Sequence, residues 1–203
     1  MNTFEIVGEV CERLHERNIR VVMSGGSAVA YYTRNRYLTN DFDLVDVYND
    51  GNKKIGAVMR ELGFVERGRY FYHPGIEDLM IEFPTGPLQV GNERIDPETV
   101  ETVATAHGTL YLLSATDCVK DRLAAYHAWD NEIQSLYQAV LVSLENDIDM
   151  DALERWAGNE KNGTFFERFK QIRNEIMRHE QMHALLDDID RFDTFVYRFF
   201  LDN

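Results

Sequence analysis

An α+β fold is predicted for this chain, on three observations. Short β-branched or aromatic runs at 20–23, 41–47, 70–72 and 78–83 are interleaved with helix-period stretches through the first half. After residue 113 no convincing strand signal remains, and helical periodicity runs to the end. Hydrophobic residues make up 44% of the 203 residues and aromatic residues 12%, ample for a packed core. The expected organisation is a mixed α/β part over 1–113 and an all-helical part over 114–203.

Taken in order, residues 3–17 place Phe4, Val7, Val10, Cys11 and Leu14 on one helical face, and Asn18 ends that helix. The run 20–23 reads as a buried strand. Ser24-Gly25-Gly26-Ser27 follows at once as a glycine turn, with a helix expected from Ala28. Residues 41–47 form the next strand, and 51–62 an amphipathic helix with Gly63 as its C-cap. A hairpin is expected across Arg67-Gly68-Arg69, a strand at 78–83, and a connection or edge strand at 84–91, which holds two of the four prolines. A last strand is expected at 110–113, and Ser114-x-x-Asp117 has capping-box spacing. Helices are expected at 115–128, 131–144, 149–158, 164–183 and 187–200.

The formal net charge of −14 repels long nucleic acid, although Arg34, Arg36, Arg67 and Arg69 offer a local basic patch for an RNA end. Cys11 and Cys118 make no disulfide framework and read as small buried hydrophobes. There is no signal-like start and no apolar run long enough to span a bilayer, so a soluble, cytoplasmic protein without a membrane partner is expected.

Two features carry chemistry. A strand, a Gly-Gly turn and a helix start together present backbone N–H groups suited to phosphate. Asp41 and Asp43 are two apart, so both side chains leave one face of a strand. Like charges so placed repel by about 1 kcal/mol at about 4 Å even through water. A divalent cation removes that repulsion. Glu82, between Ile81 and Phe83, is a third carboxylate inside a hydrophobic strand, which is costly unless paired or metal-bound.

Gly26-Ser27, followed after thirteen residues by Asp41-Phe42-Asp43, resembles the signature of the nucleotidyltransferase superfamily related to DNA polymerase β. Arg36 and Thr39 match residues often found ahead of that D-x-D, and Glu82 stands where the family's third acid is expected. The stretch 113–125 is similar to a helix of the minimal and toxin-type members, which include enzymes of toxin–antitoxin and abortive-infection systems. The stretch 134–139 departs from the toxin-type pattern, having no acid where those relatives often carry a lysine–aspartate pair. The resemblance implies a nucleotidyltransferase-like mixed sheet with flanking helices. It implies that Gly25, Gly26 and Ser27, with Arg36, Thr39 and Lys120, contact a nucleoside triphosphate. It further implies that Asp41, Asp43 and Glu82 form a catalytic site for two Mg2+ ions.

The function then expected is transfer of a nucleoside monophosphate to an acceptor hydroxyl on an RNA 3′ end, a protein or a small molecule, with release of pyrophosphate. The alternative is a non-catalytic binding module of the same fold, such as a toxin–antitoxin component, with an antitoxin or a second copy as partner. His179-Glu180-Gln181-Met182-His183 fits the H-E-x-x-H zinc motif, but a third ligand is not in view, and an incidental helix is expected there. The apolar stripe from Leu185 to Phe200 is read as packing onto the same chain or as a partner surface.

Overall fold

The computed structural model describes residues 3–128, 132–160 and 163–201. The chain opens with α1 (Thr3–His15), β1 (Val21–Ser24), α2 (Gly25–Tyr32), β2 (Asp41–Asp46) and α3 (Asn52–Glu61). There follow β3 (Val65–Arg67), β4 (Tyr70–Tyr72), β5 (Met80–Glu82), a small separate hairpin of β6 (Gln89–Val90) and β7 (Glu93–Arg94), then β8 (Glu101–Ala104) and β9 (Thr109–Leu112). The remainder is helical: α4 (Ala115–Ala128), α5 (Ile133–Glu145), α6 (Met150–Asn159), α7 (Thr164–Arg178), a 3-10 helix (Glu180–Asp187) and α8 (Ile189–Leu201). The fold is α+β, a mixed sheet with helices followed by an all-helical C-terminal half.

Contacts divide the chain into two compact units. One comprises the chain up to Ala30 with Leu38–Ser114, and the other Tyr31–Tyr37 with the chain from Ala115 onward.

In the first unit seven strands form one sheet in the order β3-β4-β5-β2-β1-β9-β8. Its centre is β2, antiparallel to β1 and parallel to β5. Alternation along β2 sends Phe42 and Leu44 into the core, where they are almost wholly buried. Phe4 of α1 meets Phe42 edge to face at 5.7 Å, which places α1 on that side of the sheet. The apolar stripe of α1 buries Val7, Val10, Cys11 and Leu14, and Asn18 turns the chain with φ 59°. Asp46 lies at the end of β2 on the buried side. Its carboxylate accepts the backbone N–H groups of Asp50 and Gly51, both at 3.1 Å, and so fixes the turn into α3. Gly63, at φ 86°, ends α3 in the left-handed conformation its sequence position implied.

The second unit is built around α5, whose residues 135–143 are all buried. A helix buried on every side needs neighbours all round, and α4, α7 and α8 supply them. Trp156 meets Phe165 edge to face at 5.7 Å, and His127 stacks on the same ring at 5.1 Å. The buried Tyr137 hydroxyl donates to the Leu186 carbonyl at 2.8 Å. Glu132 and Asp149 cap α5 and α6 by accepting N–H groups of their first turns.

Four boundaries differ from the sequence reading. The helix α2 begins at Gly25 rather than at Ala28, because one left-handed residue, Gly25 at φ 64°, makes the whole turn. Residues 101–104 form an extra strand pairing with β9 at the sheet edge. The stretch 84–91 makes one parallel bridge to the main sheet, Thr85 to Asp46 at the end of β2, and then contributes β6 to a small separate hairpin. The helix expected over 164–183 stops at Arg178, since His179 is extended at φ −127°, ψ 96°. Residue 131 of the helix expected at 131–144 lies outside the described residues.

Phe42→Ala removes a fully buried ring at the centre of the sheet, and should cost about 3–5 kcal/mol of stability in a chemical denaturation experiment.

Candidate active site

Strand register assembles a polar patch on the face of the sheet opposite Phe42. Ser24 of β1 pairs with Asp43 of β2, Asp43 with Glu82 of β5, and Glu82 with Tyr70 of β4. Directly paired residues point to the same face, so these four form one row across four strands. Asp41 lies two residues along β2, in the adjoining row with Met80 and Tyr72. Asp41, Asp43 and Glu82 are thus gathered on one face from two parallel strands. All three are half-buried, while Phe42 and Ile81 between them go to the core.

The glycine turn abuts this patch. A Cβ on Gly25 would run into the Asp43 carboxylate, and φ of 64° already disfavours any side chain there. Glycine therefore lets the Asp43 carboxylate lie against the start of α2. The first N–H groups of α2 have no carbonyl of their own helix to donate to, and the helix dipole favours an anion at that end. The Ser27 side chain turns back onto the preceding strand: its hydroxyl is fully buried and donates to the Ser24 carbonyl at 2.8 Å. Thr39 Oγ1 accepts the Asp41 N–H at 3.2 Å, which sets the angle at which β2 begins.

Electrostatically the patch is under-compensated. Asp41 Oδ1 is buried and makes no hydrogen bond. Burial pushes the Asp41 carboxyl above its ordinary pKa, and the nearby Arg69 guanidinium pulls it partly back. Arg69 lies in the turn between β3 and β4. Its Nε is 3.3 Å from Glu82 Oε2, its Nη2 donates to the Tyr70 hydroxyl at 2.6 Å, and its guanidinium lies 4.8 Å from the Tyr70 ring centre.

The donor set tests the implied magnesium. Carboxylate oxygens are the ligands Mg2+ prefers, and an orphaned buried acceptor on Asp41 is what a hard cation would satisfy. The residues therefore fit the ion chemically. Among the described residues, however, no three acidic, histidine or cysteine side chains already converge as a closed metal site. The guanidinium against Glu82 is the physical reason the third carboxylate is otherwise engaged.

Of the other residues singled out from sequence, Arg36, Lys120, His179 and His183 belong to the second unit. Arg36 binds Glu145 Oε1 at 2.9 Å and the Asp187 carboxylate, and its Nη2 also donates to the His183 carbonyl at 3.4 Å. Lys120 is buried and lies 3.0 Å from Asp117 Oδ1. His179 and His183 do not share an α-helical face, because the helix ends before His179 and a 3-10 helix follows. His179 Nε2 instead lies 3.4 Å from Glu175 Oε1. Both cysteines are buried and free, and burial raises the Cys11 thiol to about 12.

Sequence reasoning missed Ser24, Tyr70 and Arg69 as neighbours of the carboxylates. Strand parity in β1 was the available signal for Ser24. For Tyr70 and Arg69 there was none, because the pairing of β4 with β5 is a long-range choice.

No protein-family profile matches the chain, and no curated protein does. Among solved structures, the solution structure of the antibiotic-resistance factor ANT(2'')-Ia is similar, with a TM-score of 0.48 and 15% identity over 88% of this chain and 100% of that one. The crystal structure of ANT(2")-Ia in complex with adenylyl-2"-tobramycin gives a TM-score of 0.49 and 15% identity, over 84% of this chain and 98% of that one. These similarities transfer no residue role to this chain.

Two outcomes follow from the geometry. Because the folded state raises the Asp41 pKa, its destabilising effect is absent well below the ordinary value of 3.8 and complete once pH exceeds the raised value. Asp41→Asn should therefore raise the melting temperature in EDTA at pH 7 and lose that advantage near pH 3. Arg36→Ala should lower the melting temperature, by about 1 kcal/mol in stability, since it breaks partly exposed ion pairs inside the helical unit.

Proposed function

We propose that this protein is a magnesium-dependent nucleotidyltransferase that moves a nucleoside monophosphate from a triphosphate to an acceptor hydroxyl. The observation that carries the reading is the register of β2 and β5, which sets Asp43 beside Glu82 with Asp41 on the same face, at the mouth of a glycine turn opening a helix. Simple packing would not select three carboxylates on one half-buried sheet face.

In this reading the backbone N–H groups of Gly25, Gly26 and Ser27 take the β- and γ-phosphates at the start of α2. Asp41 and Asp43 would hold the metal, with Glu82 completing the set. Bound magnesium, as a pair of ions, would neutralise charge at the attacking and leaving oxygens. The acceptor oxygen attacks the α-phosphorus, forming an O–P bond as the bond from that phosphorus to the β-phosphate oxygen breaks. Pyrophosphate departs with the electron pair, and the acceptor proton passes to the Glu82 carboxylate. The chain's own work is to position the triphosphate and hold negative charge where the ions bind.

Purified protein incubated with each α-labelled triphosphate, Mg2+ and a cell extract should transfer label. Asp41→Ala/Asp43→Ala should lower transfer at least about 100-fold, more than the loss typical for outer-shell partners of a metal. Label in RNA or protein would fit the toxin-type relatives that the motif resembles, and label in the small-molecule fraction would name that acceptor class. Triphosphate binding without transfer would instead mark a nucleotide-binding module.

A further inference from the structure

We propose that Arg69 is a built-in counter-cation of the carboxylate face, displaced by metal and then handed over to the triphosphate. The inference rests on the metal reading above and adds a residue that neither the motif nor the glycine turn indicates.

Three observations carry it. Arg69 Nε lies 3.3 Å from Glu82 Oε2, so a guanidinium already sits on one of the carboxylates the ion would need. Asp41 Oδ1 remains buried and unbonded, so that compensation is incomplete and a stronger cation has a place to gain. The arginine is free to withdraw. Its side chain is 68% exposed, and it follows Gly68, which at φ 66° stands in open space with nothing near a notional Cβ. Withdrawal forfeits an ion pair exposed on the arginine side, the 2.6 Å hydrogen bond to the Tyr70 hydroxyl and a contact with the Tyr70 ring.

A guanidinium and a divalent ion compete for the same oxygens. The planar fork that suits a carboxylate suits a phosphate equally. Once the ion holds Glu82, the freed Arg69 is a cation at the rim of a site that is receiving a highly charged anion. Metal and triphosphate then favour each other's binding through one side chain, and linkage makes that coupling reciprocal.

The test uses Mn2+ as the probe, with free ion counted by electron paramagnetic resonance in the absence of nucleotide. Arg69→Ala should bind Mn2+ about 3- to 10-fold more tightly than wild type, the gain expected if the latched state holds about 70–90% of molecules. Arg69→Lys should fall between, since it keeps the charge and loses the Nε contact. Separately, magnesium tripolyphosphate should raise the melting temperature of wild type more than that of Arg69→Ala. Equal or weaker Mn2+ binding by Arg69→Ala, with wild-type binding measurable, would overturn the competition and leave the metal site standing. Equal melting shifts in the two proteins would overturn the hand-over to phosphate. No Mn2+ binding by either protein would overturn the metal reading itself.

Discussion

The gathering of Asp41, Asp43 and Glu82 on one half-buried sheet face is the constraint around which the first unit is arranged. Strand register fixes these carboxylates on one face, and backbone hydrogen bonds hold that register whatever the charges prefer. The unfavourable charge density is tolerated because the opposite face of the same strands is strongly apolar. Phe42, Leu44 and Ile81 bury fully there, and Phe4 of α1 closes over Phe42. Each such side chain contributes on the order of 2 kcal/mol. A patch that weakens the fold is thus carried by the strands whose other side stabilises it most, a common division of labour at sites that hold charge.

Small polar devices hold the ends of those strands where the patch needs them. Thr39 accepts the first N–H of β2 and Asp46 orders the turn after its last residue. The Asn40 carbonyl accepts the Met80 N–H at 2.8 Å and locks β5 to β2 at the same end. Gly25 lets the chain reverse within one residue while the Asp43 carboxylate approaches its backbone. These are positional requirements, and they explain why a short polar residue, an acid and a glycine occupy those points.

The helical unit coheres by a different logic. Its central helix α5 is buried on all sides, and its polar members are satisfied inside the unit. Arg36 joins the segment 31–37 to Glu145 and Asp187 of this unit. That segment interrupts the sheet unit in sequence and yet belongs with the helices by contact. Its charge is spent on two carboxylates, which gives Arg36 a structural task whatever else it does.

Much of this was legible in the chain itself. Period-two alternation placed Asp41 and Asp43 on one face of a strand, and helical periodicity placed α4 over 115–128, as found. These readings succeed because they depend on neighbours within a few residues, where backbone geometry dictates the period. Long-range pairing was not legible. The parallel register that sets Glu82 beside Asp43, the placement of β4 that brings in Arg69, and the edge strand β8 depend on which segments meet after the chain has folded back. The early stop of α7 and the burial of the Ser27 hydroxyl are of the same kind. The sequence by itself determined most of the helices and strands and a glycine turn beside paired acids. Only the tertiary structure set the expected third acid, Glu82, beside Asp43 and brought Arg69 against it, because those placements depend on sheet order, and sheet order is settled by burial summed over the whole unit.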